Sequence, residues 1–378
     1  MDSQNKLKKS RVKDDKTNSV SKLKLLKNWL TNHKKTTMIV AAVITIIAAA
    51  LTVFIIFYQK PTNEADVSLT NPTKPAKPKQ KFYSPLTGVE LSSKADTEKP
   101  VTAIIIENSP DARPQSGMQQ AEVTYEAIAE AGITRFLNLY QQNKPGLVGP
   151  VRSLRPYFVE WIAPWQASVA HVGGSKRSLD EVRNGNYRDI DQFFNAGSYW
   201  RSSDRYAPHN VYTNFEKLDA LNASKNYVKS EPKPLKHTTT KKTKKDKISL
   251  INVTMSSAAY NSNWTYHEPS NTYHRQQGGA PHMDREEGQI SSRTVIILKV
   301  HMDLIMEDGW RESYHTSGTG EGVVFQDGQA IEVIWHKPSP SDQIFFTSKS
   351  SGKELPLARG KIWISAVPAN KGGNVTWQ

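Results

Sequence analysis

Residues 36–58 read TTMIVAAVITIIAAALTVFIIFY, 23 residues without a charge. A helix of that length rises roughly 30 Å, the thickness of a bilayer's hydrocarbon core, so the stretch predicts a single transmembrane helix. Residues 1–35 hold eleven Lys/Arg against three Asp, a net of +8. Basic flanks stay on the cytoplasmic side, which predicts a cytoplasmic N-terminal tail and an extracellular C-terminal ectodomain, residues 59–378, on a single-pass cell-membrane protein. A cleaved signal peptide is the competing reading. Its apolar core is shorter, about 7–15 residues, and ends in small residues. Here Ala48-Ala49-Ala50 runs on into LTVFIIF, which favours an uncleaved anchor.

The formal charge is +14, a balance that suggests nucleic acid until it is divided up. The tail carries +8, the stretch 59–81 carries +3, and KSEPKPLKHTTTKKTKKDK (229–247) carries +6, leaving −3 for the segments that read as folded. The basic excess therefore belongs to tethers, and no nucleic-acid partner is expected. Cys is absent, which removes disulfides, thiol nucleophiles, thiolate metal sites and a lipid-modified N-terminal cysteine together.

Residues 59–81, with Pro61, Pro72, Pro75 and Pro78, read as an extended stalk. Residues 82–228 read as an α/β domain with a mixed sheet. VTAIIIE (101–107), ITRFLNLYQ (133–141) and SVAHVGG (168–174) have strand character. RPYFVEWIAPW (155–165) and SKRSLDEVRNG (175–185) have helical spacing, the second with Ser175 as N-cap and Gly185 as its stop. AEVTYEAIAEAG (121–132) fits either helix or strand. Residues 229–247 read as a Lys-rich linker or loop. Residues 248–370 read as a β-rich second domain of antiparallel hairpins with turns at Asp327-Gly328 and Ser351-Gly352, and 371–378 as a tail. The expected fold class is α+β: one N-terminal transmembrane helix, an α/β domain, then a β-rich domain.

Polar residues cluster in the first of these domains. Arg113, Arg135, Arg152, Arg155 and Arg205 stand in these clusters; several arginines from separate loops can clamp an anion, because guanidinium forks match carboxylate or phosphate oxygens. Gly173-Gly174-Ser175 precedes a helix, where backbone N–H groups favour negative charge. The plainer alternative engages Arg152 and Arg155 with Glu126 or Glu130 in an ion-pair network. His171 and His209, with Asp204, are the candidates for acid–base catalysis, although a buried His bonded to backbone is commoner. Ser153 or Ser175 could be a nucleophile with a His in hydrogen-bond reach, but neither lies in a GxSxG or an SxxK motif, so a hydrolase of those types has no direct support. Asn210 adjoins His209, and His282 with Asp284 forms an H-x-D pair facing the inter-domain cleft, a pair that can ligate a metal or orient a proton shuttle. No HExxH-like spacing appears, and neither a metal nor a cofactor is expected.

The motifs PLTG (85–88), ENSPDARPQSGMQQAEVTYEAIAEAGITRF (107–136), GPVRSLRPYF (149–158), HVGGS (171–175) and RYAPHNVYTN (205–214) closely resemble the YerB family, or DUF3048 domain. YHR, PHMD, DGQAIEVIWHK and GKIWISAVP resemble that family's C-terminal domain. The resemblance covers roughly residues 82–370. It implies a two-domain extracytoplasmic protein of bacteria whose cell wall faces the membrane, and it supplies no reaction. Many relatives look like lipoproteins, a pattern from which this Cys-free chain departs.

The function expected is a membrane-anchored cell-envelope protein binding an anionic wall component or a wall-synthesis partner. Arg113, Arg135, Arg152, Arg155 and Arg205 would supply charge, with His171 and His209 lining the pocket. The alternative is an envelope hydrolase or transferase acting on glycan or phosphodiester substrate, with a His as base and a carboxylate within about 3 Å of it.

Overall fold

The structure, a computed structural model, describes residues 27–29, 31–58, 80–244 and 247–378. Most of the basic tail, nearly all of the stalk and residues 245–246 lie outside them. The chain divides into two compact units, Met1–Pro78 and Lys79–Gln378.

In the first unit the apolar stretch is helical: α1 is Lys34–Tyr58, 25 residues. Among the described residues, however, no helix is long and apolar enough to cross a membrane. That finding corrects the expected transmembrane helix 36–58 and the single-pass topology built on it.

The second unit contains, in chain order, β1 (Thr102–Glu107), β2 (Val123–Glu130), β3 (Ile133–Tyr140), α2 (Pro156–Ile162), β4 (Ser168–Ala170), α3 (Lys176–Asn184), β5 (Arg188–Asp189) and α4 (Phe215–Ser224). There follow β6 (Leu250–Thr254), β7 (Ser262–His267), β8 (Thr272–Gln277), β9 (Thr294–Val300), β10 (Gly318–Gln326), β11 (Gln329–Lys337), β12 (Phe345–Ser348), β13 (Ile362–Pro368) and β14 (Asn374–Trp377), with shorter strands between. Ten strands form one mixed sheet in the order β12-β11-β10-β9-β13-β2-β3-β1-β4-β5. Strand β13 lies parallel between β9 and β2, with Ser365 opposite both Ile297 and Glu126. The segments 82–228 and 248–370 therefore build a single sheet. A second, antiparallel sheet is formed by β6, β7, β8, β14 and two short strands.

Side-chain alternation along β2 explains the layering. Tyr125 points to one face and stacks on Trp161 of α2 at 5.3 Å. Glu126 points to the other, where Trp363 of β13 meets Trp264 of β7 at 5.2 Å. The large sheet is thus covered by helix on one side and by the second sheet on the other. That is why β1 is buried at every position and reads as an unbroken apolar run. It also settles the ambiguous stretch 121–132 as strand. Local turn chemistry agrees elsewhere: Asp327 (φ 59°) and Gly328 (φ 78°) join β10 to β11 as a tight hairpin. Ser175 caps α3 by accepting from Ser178 N–H. The stretch 229–247 is tied down over part of its length, because His237–Thr238 pairs with Leu357–Ala358.

Two buried ionisable groups tie this packing to pH. Burial pushes the Glu122 carboxyl up to about 7, even though it accepts the N–H groups of Gln141 and Gln142. Its folded value lies above the ordinary 4.5, so its stabilising contribution is complete below pH 4.5 and is lost as pH rises to 7. Lys337 donates to the carbonyls of Ser339, Pro340 and Asp342 at 3.0, 2.6 and 2.7 Å, and burial lowers it to about 8. Its contribution is complete above 10.5 and is lost as pH falls to 8. In urea unfolding from pH 4 to 11, Glu122→Gln should flatten the fall between 4.5 and 7 relative to wild type. Lys337→Met should flatten the rise between 8 and 10.5. Parallel curves for variants and wild type would refute both assignments.

Candidate functional site

Strand β1 ends on a charge. Glu107 is buried, yet its carboxylate gathers polar groups from two distant motifs and from nearby Ser109. One oxygen accepts from His209 Nδ1 at 2.8 Å and from the Ser109 hydroxyl. The other lies 3.0 Å from Arg152 Nε. The backbone explains the convergence. Val151 bridges Ile106, Arg152 N–H donates to Ile105 O at 2.8 Å, and Val151 N–H donates to Val211 O at 2.7 Å. Segments 149–153 and 209–213 are thereby drawn against the end of β1. Gly149 permits the approach: its φ is 151°, and a Cβ there would lie 2.8 Å from Tyr212 Cδ1.

What remains free in this arrangement defines the site. Arg152 Nη1 and Nη2 and His209 Nε2 have no hydrogen-bond partner among the described residues, and both side chains are between a fifth and a quarter exposed. Glu107 holds the imidazole by its other nitrogen and keeps the guanidinium beside it. The result is a guanidinium fork and an imidazole Nε2 left open beside a fixed carboxylate, Nε2 being a donor only when the ring is protonated. Such a pair can grip an oxyanion; with Nε2 as acceptor, it can also take a proton.

The other arginines are engaged within the fold. Arg135 and Arg155 both hold Glu130, Arg155 at 2.7 Å. Burial alone would raise Glu130, but the two guanidinium groups outweigh it and keep the carboxyl low. Burial and the neighbouring Arg155 lower Arg135 to about 10. Arg113 donates to Asn108 O and Ala259 O at 2.8 and 2.9 Å, and Arg205 to Asp111 O and Pro114 O at 3.3 and 2.6 Å. Asn210 accepts from Arg201.

The three catalytic candidates have three separate sets of partners. His171 is fully buried between Gly173 O (2.7 Å) and Asp189 (3.1 Å). His209 faces Glu107, and exposed Asp204 pairs with Arg285 at 2.7 Å. His282 and Asp284 also diverge. His282 bonds Arg275 and Gln115, and burial followed by Arg275 pushes it well below its ordinary value. Asp284 accepts the backbone N–H groups of Gln119, Glu286 and Glu287. The start of α3 is filled from within, since Glu307 accepts Arg177 N–H at 3.1 Å where an outside anion was expected. Sequence reading passed over Glu107, whose only signal was an acid closing an otherwise apolar run.

Two family models match the chain: the DUF3048 N-terminal domain over residues 86–228 and the DUF3048 C-terminal domain over 251–364, each described as a protein of unknown function. The Bacillus subtilis (strain 168) protein named "Putative lipoprotein YerB" is 33% identical over 298 residues, 76% of this chain and 87% of that one. The crystal structure of Bacillus subtilis YerB superposes with a TM-score of 0.69 at 29% identity, covering 78% of this chain and 99% of that one. With both domain models matched in order and a relative aligned over most of its length, this chain belongs to the DUF3048 (YerB) family.

Proposed function

We propose that this chain is a cell-envelope protein whose compact unit lies outside the cell membrane and binds an anionic group of a wall component through Arg152 and His209. The observation that carries the reading is the free guanidinium fork of Arg152 beside the free Nε2 of His209, both held by Glu107. The word lipoprotein in its relative's name supports the envelope location. Phosphates of wall glycopolymers and carboxylates of wall peptides are the matching anions.

The test is binding of the purified full-length chain to phosphate-bearing wall polymer and, separately, to peptidoglycan fragments. Arg152→Ala should weaken one of the two by about 10–100-fold, the worth of a charge-assisted hydrogen-bonded pair. Arg205→Ala, whose partners are main-chain carbonyls, should leave that affinity in place. Unchanged binding by a folded Arg152→Ala protein ends the proposal.

A second reading rests on the 2.8 Å Glu107–His209 contact, which orients an imidazole as a general base toward water at a glycan or phosphodiester bond. It requires release of phosphate or reducing ends from the same polymers, with loss of that activity in His209→Gln. Binding without release decides for the first reading.

A further inference from the structure

Away from Glu107, a second convergence of chemistry sits on a two-stranded ribbon in which Met302–Ile305 pairs with Glu312–Tyr314. His301 enters the ribbon opposite His315, whose backbone N–H donates to His301 O at 3.0 Å. Asp303 is the extra residue where the register shifts between Met302 and Leu304, and a bulge of this kind re-aims its side chain. The Asp303 carboxylate meets both rings: one oxygen lies 2.9 Å from His301 Nε2, and the other bonds His315 Nε2. The three ligand atoms lie within 4.8 Å of one another.

The surroundings favour a cation over a self-contained polar cluster. Among the described residues no Lys or Arg pairs with Asp303; its only ionisable partners are the two imidazoles. The trio His171, Asp189 and Asp191, with Asp189 half-buried, offers a contrast, because Arg183 already supplies its positive charge at 2.7 Å from Asp191. All three groups on the ribbon are exposed, and His301 and His315 line a cleft of about 590 Å3 that also includes Trp335 and Glu321.

We propose that His301, Asp303 and His315 bind a divalent first-row transition metal, zinc foremost, with a coordination position left open to this cleft. Two imidazoles and one carboxylate suit zinc, nickel or copper better than magnesium or calcium, which take oxygen shells. Three protein ligands leave a position for water or an oxygen ligand. The triplet His-Met-Asp occurs twice, at 282–284 and 301–303; the fold sends the first pair to different partners and brings the second together. This proposal uses none of the residues of the anion site and stands or falls separately from it.

The experiment is calorimetric titration of the chelator-stripped full-length chain with zinc chloride. Wild type should take up one equivalent at micromolar concentration. Asp303→Asn and His315→Ala should each weaken that event at least tenfold without changing the metal-free unfolding temperature, since these side chains are exposed. His267→Ala/His274→Ala, which removes another pair of neighbouring rings, one exposed and one half-buried, should bind as wild type does. Zinc should also raise the unfolding temperature of wild type and not of Asp303→Asn. Absence of a stoichiometric event in wild type, or equal affinity in His315→Ala, overturns the proposal.

Discussion

Arg275→Ala should lower the unfolding free energy by about 3–5 kcal/mol, the cost of leaving one partner of a buried ion pair behind. Arg275 and Glu126 are both fully buried and meet at 2.8 Å between the two sheets. The guanidinium also donates to Gln277 at 2.6 Å and lies over Trp363, 4.6 Å from the ring centroid. Next to it, His282 stays neutral: Nδ1 accepts from Arg275 and Nε2–H donates to Gln115 at 2.9 Å. Removing the arginine strands the Glu126 charge, whereas replacing both partners removes the charge and its penalty together. Urea unfolding should therefore find Glu126→Leu/Arg275→Met more stable than Arg275→Ala. A loss under 1 kcal/mol for Arg275→Ala would mean the pair is not dry.

Trp363→Ala should cost a similar amount, about 3–5 kcal/mol, the range for truncating a buried aromatic. Trp363 packs edge-on against Phe136 and Trp264 at 5.3 and 5.2 Å, and its Nε1 donates to Glu126 and to Ser365. The variant thus opens a cavity and takes a donor from the carboxylate that Arg275 neutralises. Residues sharing a network do not act independently, so Trp363→Ala/Arg275→Ala should lose less than the sum of the two single losses. Strict additivity would show that the tryptophan and the ion pair are separate. Both variants should still unfold residues 80–378 in one transition, because the family's two segments build one sheet across the damaged site.

Short-range features were legible in the sequence and long-range ones were not. VTAIIIE announced a doubly covered strand, Asp327-Gly328 a hairpin, and Ser175 and Gly185 the ends of α3, because each is decided by neighbours in the chain. The placement of β13 beside β2 had no local signal, since Ser365 and Glu126 lie 239 residues apart. The spanning helix read from residues 36–58 rested on length and absence of charge, and the described residues do not carry it. At the site, residue type revealed which motifs were polar but not which groups each side chain would meet. Arg152 and Arg155 are three residues apart, yet one reaches Glu107 with its fork free and the other is closed on Glu130. Glu307 at the start of α3 makes the same point, as the helix dipole was read correctly while its occupant came from another part of the chain.

The position of β13 also sets a schedule for biosynthesis. Strand β2 lies between β13 and β3, so one of its edges lacks its partner until residue 365 has been made. A ribosome adding roughly 5–20 residues per second takes some tens of seconds to cover the intervening stretch. Throughout that interval the nascent chain presents an apolar rim inviting a wrong partner. Whatever escorts this polypeptide to its destination must shield that rim until strand β13 has been made.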